Sequence, residues 1–246
     1  MRRRFFTDKF ENSRAVLCGE AAHHLGRVLR AEPGQVYELS DGTSVRLGSV
    51  VRVGRDVVEF ELGEFVACAA PRLTAILLLA VVKFDRFEWA LEKATELGVS
   101  EVVPLSAARS EKALVAAAAK RAARWERILV ESAQQARRLR PPRLGKLAKS
   151  PDAFAICGQK VSGKIPRILL SERPGALPLR DVLPAFPRDT TNNAVISIGP
   201  EGGWTEEEFA AAHVADFAEA SLGQAILRTE TAVAAALASL NYALGD

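Results

Sequence analysis

The sequence is poor in the residues that metal and disulfide chemistry need. Its 246 residues hold three cysteines, Cys18, Cys68 and Cys157, and three histidines, His23, His24 and His213. The cysteines are odd in number and far apart, and none falls at a zinc or disulfide spacing. No metal site is expected, and the thiols fit a reducing cytoplasm. His23 and His24 read as packing or surface residues. Long apolar runs are missing too. The longest, residues 73–82, is too short to cross a bilayer and suits a buried strand. The N-terminal arginines lead into Phe5-Phe6-Thr7-Asp8-Lys9, which is no apolar signal core, so no secretion signal is read. No G-x-G-x-x-G follows the first strand of the α/β part, which argues against a nicotinamide dehydrogenase. Cations all but vanish in the last stretch: residues 194–246 hold Arg228 alone against eight acids.

What is present is a sizeable core and two basic regions. Apolar residues make up 48% and charged residues 26%, enough for one large domain or two smaller ones. The net charge of +3 conceals an excess of seven Lys/Arg over three acids in residues 1–30, and of ten over two in residues 120–149. Two basic regions on a near-neutral protein suggest a polyanion, nucleic acid above all. The competing reading is a pair of solvated faces.

Residues 1–70 read as a small β-rich domain. A strand at 36–39 meets the Ser40-Asp41-Gly42-Thr43 turn, and strands follow at 45–53 and 57–65. Residues 21–29 read as a short helix with Leu25, Val28 and Leu29 toward the core. Composition and period change near Ala69-Ala70-Pro71-Arg72, so a boundary is set there. From residue 73 strands and helices alternate. Asp85 and Glu88 have the spacing of a helix capping box, as do Thr205 and Glu208. Phe87, Ala90, Leu91, Ala94 and Leu97 share a helical face. A long helix is predicted over 114–138, with Trp125, Ile128, Leu129, Ser132 and Ala136 on its buried side and Pro141-Pro142 stopping it. Residues 145–164 are ambiguous, and 165–170 read as a strand. The last helix, 229–244, carries a smooth stripe of Ala232, Val233, Ala236, Leu237 and Leu240, for a neighbouring helix or a second subunit.

Two late stretches share one layout of strand, Gly-bearing turn and helix. One is Ile198-Gly199-Pro200-Glu201-Gly202-Gly203, and the other is Leu222-Gly223-Gln224-Ala225-Ile226-Leu227-Arg228-Thr229-Glu230-Thr231. Glycines there let backbone approach a ligand where a Cβ would clash. Two such loops on adjacent strands would form a crevice at the carboxyl ends of a sheet. Ordinary tight connections are the competing reading.

Four stretches, in order along nearly the whole chain, carry a family resemblance. They are Arg3-Arg4-Phe5-Phe6 with His23 to Arg30; Lys83-Phe84-Asp85-Arg86 with Lys93-Ala94-Thr95-Glu96-Leu97-Gly98-Val99; Arg124-Trp125-Glu126-Arg127-Ile128 with Glu131 and Gln134-Gln135; and the two loops just described. The chain resembles the bacterial 16S ribosomal RNA uracil-N3 methyltransferases (RsmE-type), within the SPOUT class. It departs at Ala136-Arg137-Arg138, where a small residue then Gly-Arg is usual, and at Phe84, where Gly is common. The resemblance implies an α/β protein: an N-terminal PUA-like β-barrel over 1–70 for RNA, and a knotted SPOUT domain over 71–246. It implies S-adenosylmethionine as cofactor, 16S rRNA in the small ribosomal subunit as substrate, a homodimer bordering the cofactor pocket, and no metal or membrane.

Uracil N3 is a poor nucleophile until its proton leaves, and the methyl donor is already activated. The site must therefore position the base and stabilise an anion developing at O2 and O4. Leu170, Ser171, Ile198, Gly199, Pro200, Glu201, Gly203, Leu222, Gly223, Ile226, Leu227 and Thr229 are the expected cofactor residues. Arg228 is expected either to stabilise the anion or to bridge Glu201 or Glu230. Glu201 or Glu230 would take the proton, although a carboxylate with a reference pKa of about 4 is a weak base, and a backbone-bonding role is open for each. Arg2, Arg3, Arg4, Arg27, Arg30, Lys83, Arg86, Arg137 and Arg138 are the expected RNA surface. N3 lies on the Watson–Crick edge, so the base must be unpaired or turned out. Rival readings are a SPOUT relative acting on another RNA position or tRNA, and an assembly factor with a vestigial pocket.

Overall fold

The computed structural model describes residues 3–68, 73–160, 165–186 and 193–245. The chain forms two compact units, residues 1–70 with 131–141, and residues 71–130 with 142–246.

The first unit is a curled five-stranded sheet. Its strands are β1 (Arg4–Phe6), β2 (Arg14–Cys18), β3 (Val36–Ser40), β4 (Val45–Val53) and β5 (Val57–Phe65). Their order is β1-β3-β4-β5-β2, with β1 parallel to β3 and the other pairs antiparallel. Val58, Phe60 and Leu62 alternate inward along β5, as the two-residue period requires. The register between β4 and β5 shifts twice, at Arg46/Gly48 and Val50/Arg52, and such irregularities increase strand bend and twist. The helix expected over 21–29 is instead α1 (Gly19–His23) followed by a π-helical turn, His24–Val28. The wider turn rotates the following side chains. Leu25 stays fully buried, whereas Val28, expected inside, is 61% exposed.

One expected RNA contact is an internal residue of this unit. Arg4 is 3% exposed, and its guanidinium donates to Glu38 Oε2 at 2.9 Å and to the Arg137 carbonyl. Arg137 also faces Glu38, at 3.6 Å, and the Ser40 hydroxyl donates to the Leu139 carbonyl at 2.6 Å. These bonds hold residues 131–141 in the first unit. A buried cation is retained only when paired and hydrogen-bonded, and Arg4 is both. Glu38→Gln removes the charge that pairs Arg4, so it is expected to destabilise the protein by about 1–3 kcal/mol. Thermal unfolding checks this, and an unchanged midpoint would show that the pair contributes nothing.

The second unit is a parallel α/β sheet. Its strands are β6 (Thr74–Ala80), β7 (Val99–Ser106), β8 (Arg143–Leu144), β9 (Ala148–Lys149), β10 (Arg167–Leu170), β11 (Leu177–Pro178), β12 (Asn193–Ile198) and β13 (Ala218–Ser221). The order is β11-β13-β10-β12-β6-β7-β8, with β9 also on β7, and every pair is parallel. The central strands are buried on both faces, which explains the apolar run from Ala75 to Val82.

Helices cover both faces. One apolar core joins α2 (Phe84–Glu96), α3 (Lys112–Gln135), the short α5 (Leu179–Val182) and α7 (Thr229–Leu240) to the sheet. The other joins α4 (Ser150–Lys160) and α6 (Glu206–Val214). The α7 stripe is at most 9% exposed and belongs to the first of these cores, so the chain itself covers it. The Thr205–Glu208 capping box is present. The Asp85–Glu88 box is not: Lys83 occupies the cap position without a side-chain bond, and Glu88 turns to Arg121 at 3.6 Å and Arg124 at 2.8 Å. Two guanidinium charges on α3 outcompete one backbone amide for that carboxylate. The long helix stops at Gln135, before the proline pair, and Arg137 takes a left-handed φ of 52°. The ambiguous 145–164 stretch holds β9 and α4; residues 161–164 of it lie outside the described residues.

Candidate active site

Parallel strands open a crevice where neighbouring connections leave in opposite directions. Here that crevice lies at the carboxyl ends of β10, β12 and β13, and it is a cavity of about 490 Å³. The size suits a small-molecule site, for which about 300–1,000 Å³ is usual. Each wall comes from a strand end. Leu170 and Ser171 end β10, Ile198 to Glu201 leave β12, and Leu222 to Thr229 run from β13 into α7. All twelve residues expected around a cofactor line this one cavity.

The loop after β12 is shaped by Trp204. Its indole N–H donates to the Leu170 carbonyl at 2.9 Å, and its ring lies edge-on to Phe154 at 5.8 Å. A Cβ on Gly199 would sit 3.0 Å from Trp204 Cε2, so any larger residue would crowd the indole. Gly203 has a φ of 69° and donates its N–H to the Pro200 carbonyl at 2.8 Å, closing the turn. The Thr229 hydroxyl donates to the Gly199 carbonyl at 3.4 Å, which ties the second loop to the first.

Charges gather at the rim. Arg86, on the first turn of α2, binds Glu201 at 2.7 Å and lies 4.0 Å from Glu230. Arg86 was an expected RNA contact; here it is committed to the carboxylates of the two loops. Glu201 lines the cavity. Glu230 does not, and its Oε2 is buried without a partner. Arg228 lines the cavity, is exposed, and makes no ion pair among the described residues. The anticipated bridge from Arg228 to either glutamate is absent among the described residues; Arg86 pairs with Glu201 instead and lies near Glu230.

Two further cationic lining residues were missed by sequence. Arg109, just after β7, donates to the Gly202 carbonyl at 2.8 Å. Arg173, just after β10, stacks 4.2 Å from the Phe209 ring centroid and pairs with Glu206 at 3.0 Å. Their positions three residues beyond a parallel strand were the available signal.

The other expected RNA residues sit elsewhere. Arg3, Arg27 and Arg30 are exposed in the first unit, and Lys83 is exposed in the second. Arg137 and Arg138 are half-buried. Burial lowers the Arg138 guanidinium to about 10, so it stays a cation at neutral pH. Arg2 lies outside the described residues. Among the described residues no cluster of His, Cys, Asp or Glu could hold a metal ion, and no helix is long and apolar enough to cross a membrane.

Apolar walls from Leu170, Ile198 and Leu227 with open loop backbone around them suit a flat heteroaromatic ligand with polar edges. Fold and site together define a parallel-sheet α/β enzyme that binds a nucleoside-like cofactor. The RNA methyltransferase domain model matches residues 69–241. The ribosomal RNA small subunit methyltransferase E of Synechocystis sp. is 31% identical over 232 residues, covering 90% of this chain and 71% of that protein. Its namesake in Bacillus subtilis is 29% identical, covering 92% and 89%. The crystal structure of the Neisseria gonorrhoeae enzyme of that name, bound to S-adenosyl methionine, superposes with a TM-score of 0.87 at 28% identity, covering 100% of this chain and 99% of that one. A Legionella pneumophila methyltransferase with bound cofactor gives 0.85 at 27% identity, with the same coverage. The chain belongs to the ribosomal RNA small subunit methyltransferase E family.

Proposed function

We propose that this chain transfers the methyl group of S-adenosylmethionine to N3 of a uridine in 16S ribosomal RNA. Family membership makes it an S-adenosylmethionine-dependent methyltransferase of small-subunit ribosomal RNA. The observation that carries the finer reading is the Arg228 guanidinium, without an ion pair among the described residues, on the wall of the same cavity that both Gly-bearing loops enclose. Leu170, Ile198 and Leu227 would hold the adenosyl group, with backbone of residues 199–203 and 222–227 reading its polar edges. Bound there, S-adenosylmethionine supplies an electrophilic methyl group. The chain's own residues would hold the base in line with that methyl, steady the charge on its oxygens and take up the N3 proton.

Arg228 faces the charge left on the uracil oxygens, where a fixed guanidinium stabilises an anion without reorganising. Glu201 is the better placed of the two carboxylates to receive the proton, because it lines the cavity and Glu230 does not. Its carboxylate is already held by Arg86 at 2.7 Å. Positioning and anion stabilisation therefore carry most of the rate.

Unit 1 is a PUA-like RNA-binding barrel in this reading, supported by its curled sheet and exposed Arg3, Arg27 and Arg30. Unit 2 is a SPOUT domain with a trefoil knot, supported by β12 lying between β6 and β10 while β13 lies outside β10. The enzyme acts in the cytoplasm as a homodimer, supported by the exposed Ile226 at the cavity and the exposed Tyr242 beyond α7. Its substrate is the assembled small subunit.

Methyl transfer from labelled S-adenosylmethionine tests the reading, with small subunits and naked 16S rRNA compared and the product nucleoside identified by mass. N3-methyluridine, formed faster on subunits, is expected. A methyl group on any other atom would sink the uracil-N3 assignment.

A further inference from the structure

A second cavity, of about 470 Å³, opens in the same unit at the carboxyl ends of β7 and β9. Ser106, the last residue of β7, and Lys149, the last of β9, both line it. Three helices begin around it: α3 at Lys112, α4 at Ser150 and α6 at Glu206. A helix start exposes N–H groups that no carbonyl of the same helix can satisfy, and it carries the positive end of the helix dipole. Lys112 and Lys149 add two full positive charges on exposed side chains.

A buried hydroxyl points to a ligand. Ser110 lines the cavity and is only 8% exposed, yet its Oγ has no hydrogen-bond partner. Ser150, fully buried at the start of α4, has an unpartnered Oγ as well. Leaving a buried hydroxyl unmet is costly, and a directed acceptor at the Ser110 site would meet it. Two carboxylates also line the cavity. Both oxygens of Glu208 are already engaged, by the N–H of Ala108 at 3.0 Å and of Thr205 at 3.0 Å. Glu207 is exposed, makes no ion pair among the described residues, and opposes an anion.

The two cavities are neighbours along the same loops. Arg109 lines the first, while Ala108 and Ser110 on either side of it line the second. Trp204 lines the first and Thr205 the second. We propose that the second cavity receives a backbone phosphate of the RNA, close to the nucleotide whose base enters the first. Lys112 and Lys149 supply charge, and the Ser110 hydroxyl and the first turn of α3 supply directed donors. The inference rests on RNA being the substrate.

The test is the affinity of wild type and variants for a fluorescent fragment of small-subunit rRNA, measured by anisotropy between about 50 and 200 mM salt. Lys112→Ala/Lys149→Ala changes only exposed side chains. It is expected to weaken RNA binding about tenfold at low salt and to flatten the log–log salt slope by about 1. Affinity for S-adenosylmethionine should stay within about twofold, since neither lysine lines the first cavity. Ser110→Ala should weaken binding without changing the slope, because a neutral donor releases no counterion. Glu207→Gln should strengthen RNA binding. Inorganic phosphate should compete with RNA on the wild type and much less on the double variant. An unchanged RNA affinity and slope in the double variant overturns the proposal, and so does phosphate binding at a site whose loss leaves RNA binding intact. If the wild type methylates no RNA but its affinity still depends on the two lysines, the proposed function fails and the phosphate site stands.

Discussion

Gly199→Val is expected to abolish S-adenosylmethionine binding while the protein stays folded. The reason is local and steric. Even the first carbon of a side chain at position 199 would stand 3.0 Å from Trp204 Cε2 and 3.2 Å from Nε1. The indole cannot yield cheaply, because it is 5% exposed, bonded to the Leu170 carbonyl and packed on Phe154. Overpacking of this kind costs about 1–3 kcal/mol when the surroundings can shift. Here the shift would go into the loop backbone, the part that has to follow the ligand. A loss of at least about 100-fold in affinity, or about 2.7 kcal/mol, is expected by calorimetry. Near-ultraviolet circular dichroism should still show packed tryptophans. Retained binding would mean that the loop is a structural turn and that the cofactor sits elsewhere. Gly203 is a different case: an added Cβ would meet only Arg109 Nη1, at 3.9 Å, but its φ of 69° strains any side chain.

Arg228→Ala is expected to lower kcat by about 10²–10³ and to change S-adenosylmethionine affinity by less than about threefold. Arg228 caps α7 without a side-chain bond and has no ion pair among the described residues, so little structure depends on its guanidinium. A structural cation would be paired, as Arg4 and Arg86 are. Arg228→Lys keeps the charge and loses the fork, so partial recovery is expected. Single-turnover transfer with saturating RNA separates the step from binding. Equal losses in kcat and in cofactor affinity would make Arg228 a cofactor or packing residue.

Elements with a strong local period were readable before any coordinates. Strands β4 and β5 carry β-branched alternation between turn residues, and both have the bounds expected for them. The glycine loops were legible because glycine, proline and strand ends are local signals. What was not legible depends on partners distant in sequence. Arg4 reads as one of three surface arginines until Glu38 and the carbonyl of Arg137 are seen around it. Asp85 and Glu88 have the right spacing for a cap, but α3 brings two arginines to Glu88 from 33 and 36 residues away. Arg86 looks like any surface cation in the sequence, and the fold sets it between Glu201 and Glu230. Val28 obeys the 3.6-residue period and is misplaced by a π-turn that the period cannot foresee. In the first three cases the deciding charge comes from another element; for Val28 it is a local backbone shift.

The membership of residues 131–141 in the first unit has a consequence for how such a gene can be cut and rejoined. The polypeptide passes between the units three times, near 70, 130 and 141, not once. The first seventy codons are therefore no exchangeable cassette. Transplanted alone, they would lack the carbonyls of Arg137 and Leu139, leaving Arg4 and the Ser40 hydroxyl short of acceptors they use here. Recombination that preserves both units must carry residues 131–141, which begin in the last turns of α3, along with strands β1 to β5. Shuffling and truncation are thereby restricted to events that keep the α3 segment matched to β1 and β3.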